Sequence, residues 1–153
     1  MSFKVSFLVN AVPKYRNAFY RKLIEESGFD VKIFCHSGSV SGLTDYHDRL
    51  HDNVRVFPYL KIGREWMVIS FIPILRLLRS CDLLVVEGNP RYITHLLIAI
   101  YCLAFRKPVI LWTMGHSFRN IRWAKKLRLW FSSLFDFVMV YSDFEVEDFS
   151  NYK

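Results

Sequence analysis

The turn at residues 112–117, with the sequence Trp-Thr-Met-Gly-His-Ser, contains a histidine placed where proton transfer is possible, His116. A histidine between the end of a strand and the start of a helix can act as a general base or orient a reacting hydroxyl. No Ser/His/Asp or Cys/His arrangement accompanies it in the sequence. We therefore predict His116 as the catalytic candidate, with a hydrogen-bonded structural histidine as the alternative.

Glu87 is the second candidate. It follows an apolar run, and only it and Asp82 are acidic between Glu65 and Asp136. Carboxylates accept hydrogen bonds well from neighbouring hydroxyls, so we predict that Glu87 contacts the hydroxyls of a substrate. Asp82 precedes the same run and is predicted to be a cap or turn residue.

The loop at residues 10–16 occupies the position of a phosphate-binding turn. It lacks the G-x-G-x-x-G and Walker patterns, whose glycines let backbone N–H groups approach a phosphate, so no nucleotide cofactor is expected there. Lys14, Tyr15 and Arg16 remain candidates for holding an anionic or sugar ligand. A solvated loop is the alternative.

Metal binding is not expected. His47 and His51 are four residues apart among aspartates, but the general-base Glu of an HExxH site is missing. Cys35, Cys81 and Cys102 form no CxxC pattern, and we predict buried thiols in a reducing cytosol.

The excess positive charge lies in one block. Residues 88–135 contain eight Lys or Arg and no carboxylate, a balance of +8 within a chain whose net charge is +7. A block of this kind points to an anionic membrane, a phosphate group or nucleic acid as a neighbour. Nucleic acid is the weakest of these, since no helix-turn-helix, RNP or zinc-finger signature is present.

Most of this charge lies on a predicted helix whose apolar stripe is bordered by tryptophans. A core-packed helix with a solvated basic face is one interpretation, and an interfacial helix attracted to anionic lipid is the other. The residues predicted to meet a membrane surface are Arg119, Arg122, Trp123, Lys125, Lys126, Arg128 and Trp130.

Alternating strands and helices must position these residues. Apolar runs predict strands at 3–9, 31–35, 54–57, 83–86, 109–112 and 137–141, and helices are predicted at 17–27, 65–79 with a kink or break at Pro73, 91–105 and 117–134. This order predicts one α/β domain over residues 1–153: a doubly wound, Rossmann-like, mostly parallel sheet of about six strands with helices on both faces. The longest apolar stretch, residues 93–105, is shorter than the roughly 18 residues that span a bilayer.

The carboxyl ends of parallel strands meet at one edge, where ligands bind in such folds. That edge collects the loops 10–16, 87–91 and 113–119. Four short runs at or beside these strand ends follow one another along the chain: PKYRNAFY (13–20), LVVEGNP (84–90), VILW (109–112) with its Gly/His turn, and FVMVYS (137–142). In this order and spacing the chain resembles the N-terminal half of a retaining glycosyltransferase of the GT-B, family-4 type.

The resemblance implies that the chain binds a glycan or lipid-linked sugar acceptor, as in polysaccharide biosynthesis. The implied acceptor-binding residues are Pro13, Lys14, Tyr15, Arg16, Glu87, Asn89, Arg91 and Gly115, with His116 as the catalytic residue. The nucleotide-sugar donor would bind mainly to a C-terminal domain that is absent from the chain, which would itself hold no cofactor and be inactive alone. Relatives tend to read Trp-x-His-Gly at this turn, so the family's histidine aligns with Met114, and His116 would take its role through a shifted turn.

The expected partners are an acceptor, a C-terminal glycosyltransferase domain or subunit, an anionic membrane surface and a second copy bound through the exposed interdomain face. The expected location is cytoplasmic, at the inner face of the membrane. The alternative function is a non-catalytic binding or scaffold module at an anionic membrane surface.

Overall fold

Strands alternate with helices along most of the chain in the computed structural model, which describes residues 2–36, 52–57, 59–62, 66–69, 71–88, 92–113 and 122–150. In chain order the elements are β1 (Lys4–Val9), α1 (Asn17–Glu26), β2 (Asp30–His36), β3 (Val54–Phe57), β4 (Tyr59–Ile62), β5 (Trp66–Ile69), α2 (Phe71–Ser80), β6 (Leu83–Glu87), α3 (Ile93–Phe105), β7 (Val109–Trp112), α4 (Arg122–Ser132), β8 (Phe137–Met139) and α5 (Asp143–Ser150). A single 3-10 turn, Lys14–Arg16, precedes α1.

Six strands form one parallel sheet in the order β3-β2-β1-β6-β7-β8. The predicted fold class, a doubly wound and Rossmann-like sheet of about six strands, is confirmed. Central strands of such a sheet are covered on both faces, so they carry continuous apolar runs such as LLVV in β6. The side chains of β6 alternate between two core clusters: Leu84 and Val86 pack with α2, α3 and α4, and Val85 packs in the cluster that contains Tyr20 of α1.

Two aspartates join neighbouring strands at the amino edge of the sheet. The backbone N–H of Lys4 donates to Asp82 Oδ2 at 2.8 Å, and that of Val109 donates to Asp136 Oδ2 at 3.1 Å. Each carboxylate therefore accepts the backbone N–H of the first residue of a strand, which has no acceptor in the sheet itself. Asp82 was predicted to be a cap or turn residue; it lies at the bend between α2 and β6, and its carboxylate joins β6 to β1.

The largest difference from the predicted elements lies between β3 and α2. A helix was expected over residues 65–79, but β4 and β5 form a separate antiparallel hairpin and α2 begins only at Phe71. Pro73 therefore lies in the first turn of α2, where the N–H that proline lacks has no intrahelical acceptor. No kink or division is needed. A final helix, α5, was not predicted, and β8 ends at Met139 rather than at residue 141.

Candidate ligand site at the switch point of the sheet

The strand order reverses between β1 and β6, because β1 continues to β2 on one side and β6 continues to β7 on the other. In open α/β sheets this reversal leaves a crevice at the carboxyl edge between two diverging loops. Here the loops are the one that joins β1 to α1 and the one that leaves β6 at Glu87.

An ion pair joins the two loops that border this crevice. Arg16 Nη1 donates to Glu87 Oε1 at 2.8 Å, and the backbone N–H of Asn10 donates to Glu87 Oε2 at 2.7 Å. The 3-10 turn positions the arginine, since the N–H of Arg16 donates to the carbonyl of Pro13 at 2.9 Å. Both carboxylate oxygens of Glu87 are thus engaged by the β1–α1 segment.

The Arg16 guanidinium also reaches across the ends of β7 and β8. Its carbon Cζ lies 4.6 Å from the ring centroid of Trp112, and Nη2 donates to the Tyr141 hydroxyl. Trp112 and Tyr141 stack with centroids 5.6 Å apart. Although Arg16 is charged, it is only 7% exposed. A cation over aromatic faces is favourable and is worth more when it is shielded from water, which helps a buried guanidinium to remain charged.

The charges at this site shift the pKa of three groups. Burial by itself would lower the pKa of Arg16, but the attraction and hydrogen bond of Glu87, together with the two nearby phenols, raise it above its ordinary value. Burial raises the pKa of Tyr141 to about 12, and the neighbouring guanidinium opposes part of that rise. Burial likewise raises the pKa of Tyr20 above its ordinary value, again opposed by Arg16. Arg16 is therefore cationic and both phenols are neutral at physiological pH.

Four buried polar atoms of the β1–α1 segment have no hydrogen-bond partner in the described part of the chain. They are Asn10 Oδ1, Arg16 Nε, Asn17 Oδ1 and the hydroxyl oxygen of Tyr20. Burying such a group unpaired costs about 1–3 kcal/mol, and native proteins contain few of them. Four within eleven residues, beside one ion pair, mark a place where polar partners are needed.

Gly88 brings the end of β6 unusually close to β7. A Cβ at this position would lie 2.7 Å from Leu111 Cδ1 and 2.9 Å from Thr113 Cβ. The close approach allows the N–H of Gly88 to donate to the Trp112 carbonyl at 2.7 Å and the Thr113 hydroxyl to donate to the Gly88 carbonyl at 3.3 Å. These bonds hold the Glu87 backbone against the strand that carries Trp112.

The predicted site residues are only partly brought together. Arg16 and Glu87 meet, Pro13 is buried, and Tyr15 points outward with 70% of its surface exposed. Lys14 belongs to the 3-10 turn, and its side chain is outside the described part of the structure. The predicted residues outside the described ranges are Asn89, Arg91, Gly115 and His116. Their assigned roles stay predictions.

Sequence reasoning did not single out Asn10, Asn17, Tyr20 or Tyr141. Asn10 directly follows β1 and Tyr141 follows β8, so their place at the carboxyl edge was a usable signal. Tyr20 lies on α1, and nothing in a helical pattern distinguishes a core tyrosine from one that faces a polar crevice.

The residues predicted to meet a membrane lie mostly on α4. Trp123 and Trp130 are 68% and 48% exposed, Lys125 and Lys126 are exposed, and Arg128 is half-buried. Arg122 begins the helix and Arg119 is outside the described ranges. Within those ranges, no helix is both long and apolar enough to cross a bilayer.

In the same ranges no three His, Cys, Asp or Glu side chains cluster as metal ligands would, and His47 and His51 lie outside them. Cys35, Cys81 and Cys102 are buried thiols that form no disulfide bond, and their burial was predicted.

Comparisons with known proteins identify no family for the chain. No protein-family model matches it, and no curated protein matches it. A solved structure of phenylacrylic acid decarboxylase from Aquifex aeolicus aligns with 99% of this chain and 92% of its own, with 15% sequence identity and a TM-score of 0.47.

The predicted identity, the N-terminal half of a GT-B glycosyltransferase with a role in polysaccharide biosynthesis, is wrong: no family model and no curated protein, a glycosyltransferase included, matches the chain. The alternative function, a scaffold module at an anionic membrane, finds no support in these comparisons either and is not retained. The short motifs behind the resemblance sit at strand ends, and many unrelated functions share such strand–turn–helix units.

Proposed function

We propose that the chain is a small-molecule-binding domain whose ligand occupies the switch-point crevice beside Arg16 and Glu87. The ligand is small, uncharged and rich in hydroxyl groups. The four buried unpaired polar atoms of the β1–α1 segment are the observation that carries this proposal.

Hydroxyl groups match those four atoms because each hydroxyl both donates and accepts. Arg16 Nε–H needs an acceptor, the amide oxygens of Asn10 and Asn17 need donors, and the hydroxyl of Tyr20 can serve as either. A polyol carries several hydroxyls close together, so one molecule can pair with more than one of these atoms.

The charge of the site favours an uncharged ligand. Glu87 neutralises Arg16 at 2.8 Å, so the pair presents no net charge to the crevice. An anion would approach a carboxylate and a cation would approach a guanidinium, and in a buried setting either contact is unfavourable. Of the two ligand classes predicted for this loop, anionic and sugar-like, the second therefore fits better.

The test is a titration of the isotopically labelled chain, followed by amide chemical shifts, with glycerol, ribitol, myo-inositol and glucose as probes. The expected result is that at least one of them shifts the amides of Asn10, Arg16, Asn17 and Gly88 in a saturable way. Asn10→Ala should weaken binding. Asn53→Ala is the matched control, because Asn53 Nδ2 donates to the Val31 carbonyl at the opposite edge of the sheet. Saturable shifts confined to another region would overturn the proposal.

The location that fits this proposal is the cytoplasm, where buried thiols that form no disulfide stay reduced. Contact of α4 with the inner membrane face remains a prediction, supported by its exposed tryptophans and lysines. Sedimentation with anionic vesicles tests it. Lys125→Gln with Lys126→Gln should reduce binding at low salt, and Arg21→Gln with Lys22→Gln on α1 should not.

A further inference from the structure

A second cavity lies away from the switch point, between α4, β8 and α5. Its volume is about 330 Å³. Leu129 of α4, Phe137 and Val138 of β8, and Val146 and Phe149 of α5 form its apolar walls. The volume is at the lower end of the range for small-molecule sites, so it suits a single ring or a short alkyl chain.

Asp136 is the only charged residue among the described residues that line this cavity. Its Oδ2 accepts the Val109 N–H at 3.1 Å, and a carboxylate has further acceptor positions on both oxygens. Three serines in the lining direct their hydroxyl protons to helix carbonyls: Ser132 Oγ donates to Arg128 O at 2.8 Å, Ser133 Oγ to Trp130 O at 2.7 Å and Ser150 Oγ to Glu147 O at 3.1 Å. The cavity therefore presents apolar walls, one carboxylate and no basic side chain from its described lining.

We propose that this cavity binds a small organic amine whose apolar body contacts Leu129, Val138 and Val146 and whose ammonium group pairs with Asp136. Charge complementarity decides the class of ligand. An ammonium donates charge-assisted hydrogen bonds to the carboxylate, whereas an anion of the same shape would face like charge across an apolar lining.

Asp82 provides a matched control for Asp136. Each residue directly precedes a strand. Asp82 accepts the backbone N–H of Lys4, the first residue of β1, and Asp136 accepts the backbone N–H of Val109, the first residue of β7. Asp82 is not part of the cavity lining. The two Asp→Asn substitutions therefore perturb equivalent sheet contacts, and only one of them changes the cavity.

The test uses 2-phenylethylamine, 2-phenylethanol and phenylacetate, each titrated against the whole chain and followed by the shifts of the Val138 and Val146 methyl groups. The amine should bind up to about fivefold more tightly than the alcohol, the scale of one exposed charge pair, and phenylacetate should bind most weakly. Asp136→Asn should abolish the preference for the amine, and Asp82→Asn should keep it.

A second variant separates loss of the cavity from loss of the fold. Val146→Phe fills the cavity from a half-exposed helical position and retains Asp136, so it should remove binding of all three probes without lowering the thermal midpoint. Equal affinity for amine and alcohol, or equal effects of the two Asp→Asn changes, would overturn the proposal. So would a dimer in light scattering whose interface covers the cavity and excludes the amine.

Discussion

Arg16 and Glu87 are 71 residues apart in the chain, and Nη1 of the one lies 2.8 Å from Oε1 of the other. This contact ties the first loop at the carboxyl edge to the end of β6, across the point where the strand order reverses. Because Arg16 also reaches Trp112 and Tyr141, its side chain links the loop after β1 to the ends of three strands, β6, β7 and β8. The ion pair is thus the centre of the site.

Removing one partner of this pair is expected to destabilise the fold. Glu87→Leu leaves the buried guanidinium without its carboxylate, and the free energy of unfolding should fall by about 3 kcal/mol. The double variant Arg16→Met with Glu87→Leu should recover a large part of that loss, since it leaves no unpaired charge. Urea unfolding of Glu87→Leu, Arg16→Met and the double variant measures both effects. Additive losses in the double variant would mean that the pair is not coupled.

Alkaline pH should weaken the fold through the phenol of Tyr141, which is partly shielded by its contacts with Arg16 and Trp112 although 42% of its surface is exposed. Tyr141 has an ordinary pKa of 10.0 and a pKa of about 12 in the folded chain, so the unfolded chain loses this proton first. Stability from this group is complete below pH 10 and is lost as the pH rises towards 12.

Tyrosine absorbance at 295 nm and urea unfolding, each recorded between pH 8 and about pH 12, check this expectation. In Tyr141→Phe the decline should become shallower because one of the contributing groups is gone. An unchanged decline in Tyr141→Phe would assign it to other groups.

Gly88 should not tolerate a side chain. In Gly88→Ala the new Cβ would meet Leu111 Cδ1 at 2.7 Å and Thr113 Cβ at 2.9 Å, and the required shifts should cost about 1–3 kcal/mol. Gly28→Ala is the comparison, because a Cβ there meets nothing within 4 Å and only the φ of +71° opposes it. That strain costs about 1 kcal/mol. Equal thermal midpoints for wild type and Gly88→Ala would contradict this prediction, because they would show that Leu111 and Thr113 can shift at little cost in stability.

The six strands could be predicted because buried parallel strands need apolar runs, and those runs are visible in the sequence. The β4–β5 hairpin could not, since short apolar segments such as YLKI and WMVI fit a helix or a strand equally well. Arg16 and Glu87 were both predicted as ligand contacts. Their pairing with each other, and with a tyrosine 125 residues beyond Arg16, follows from the strand order, which no local pattern encodes.

Family resemblance misled for a related reason. The motifs that suggested a glycosyltransferase are fragments of strand ends, and strand ends are constrained by the fold more than by the reaction. No family model and no curated protein matches the chain. Function must therefore be argued from the atoms of the crevice itself.

The most direct measurement of the central claim is the affinity of Tyr20→Phe for the polyol that binds the wild-type chain. Tyr20 is fully buried, and its hydroxyl lies beside Arg16 without a hydrogen bond of good geometry, so removing that single oxygen should change the free energy of unfolding little. If the crevice binds a hydroxyl-bearing ligand, calorimetric titration should show binding about tenfold weaker than wild type, the scale of one buried hydrogen bond. Unchanged affinity in a fully folded Tyr20→Phe chain would contradict the account.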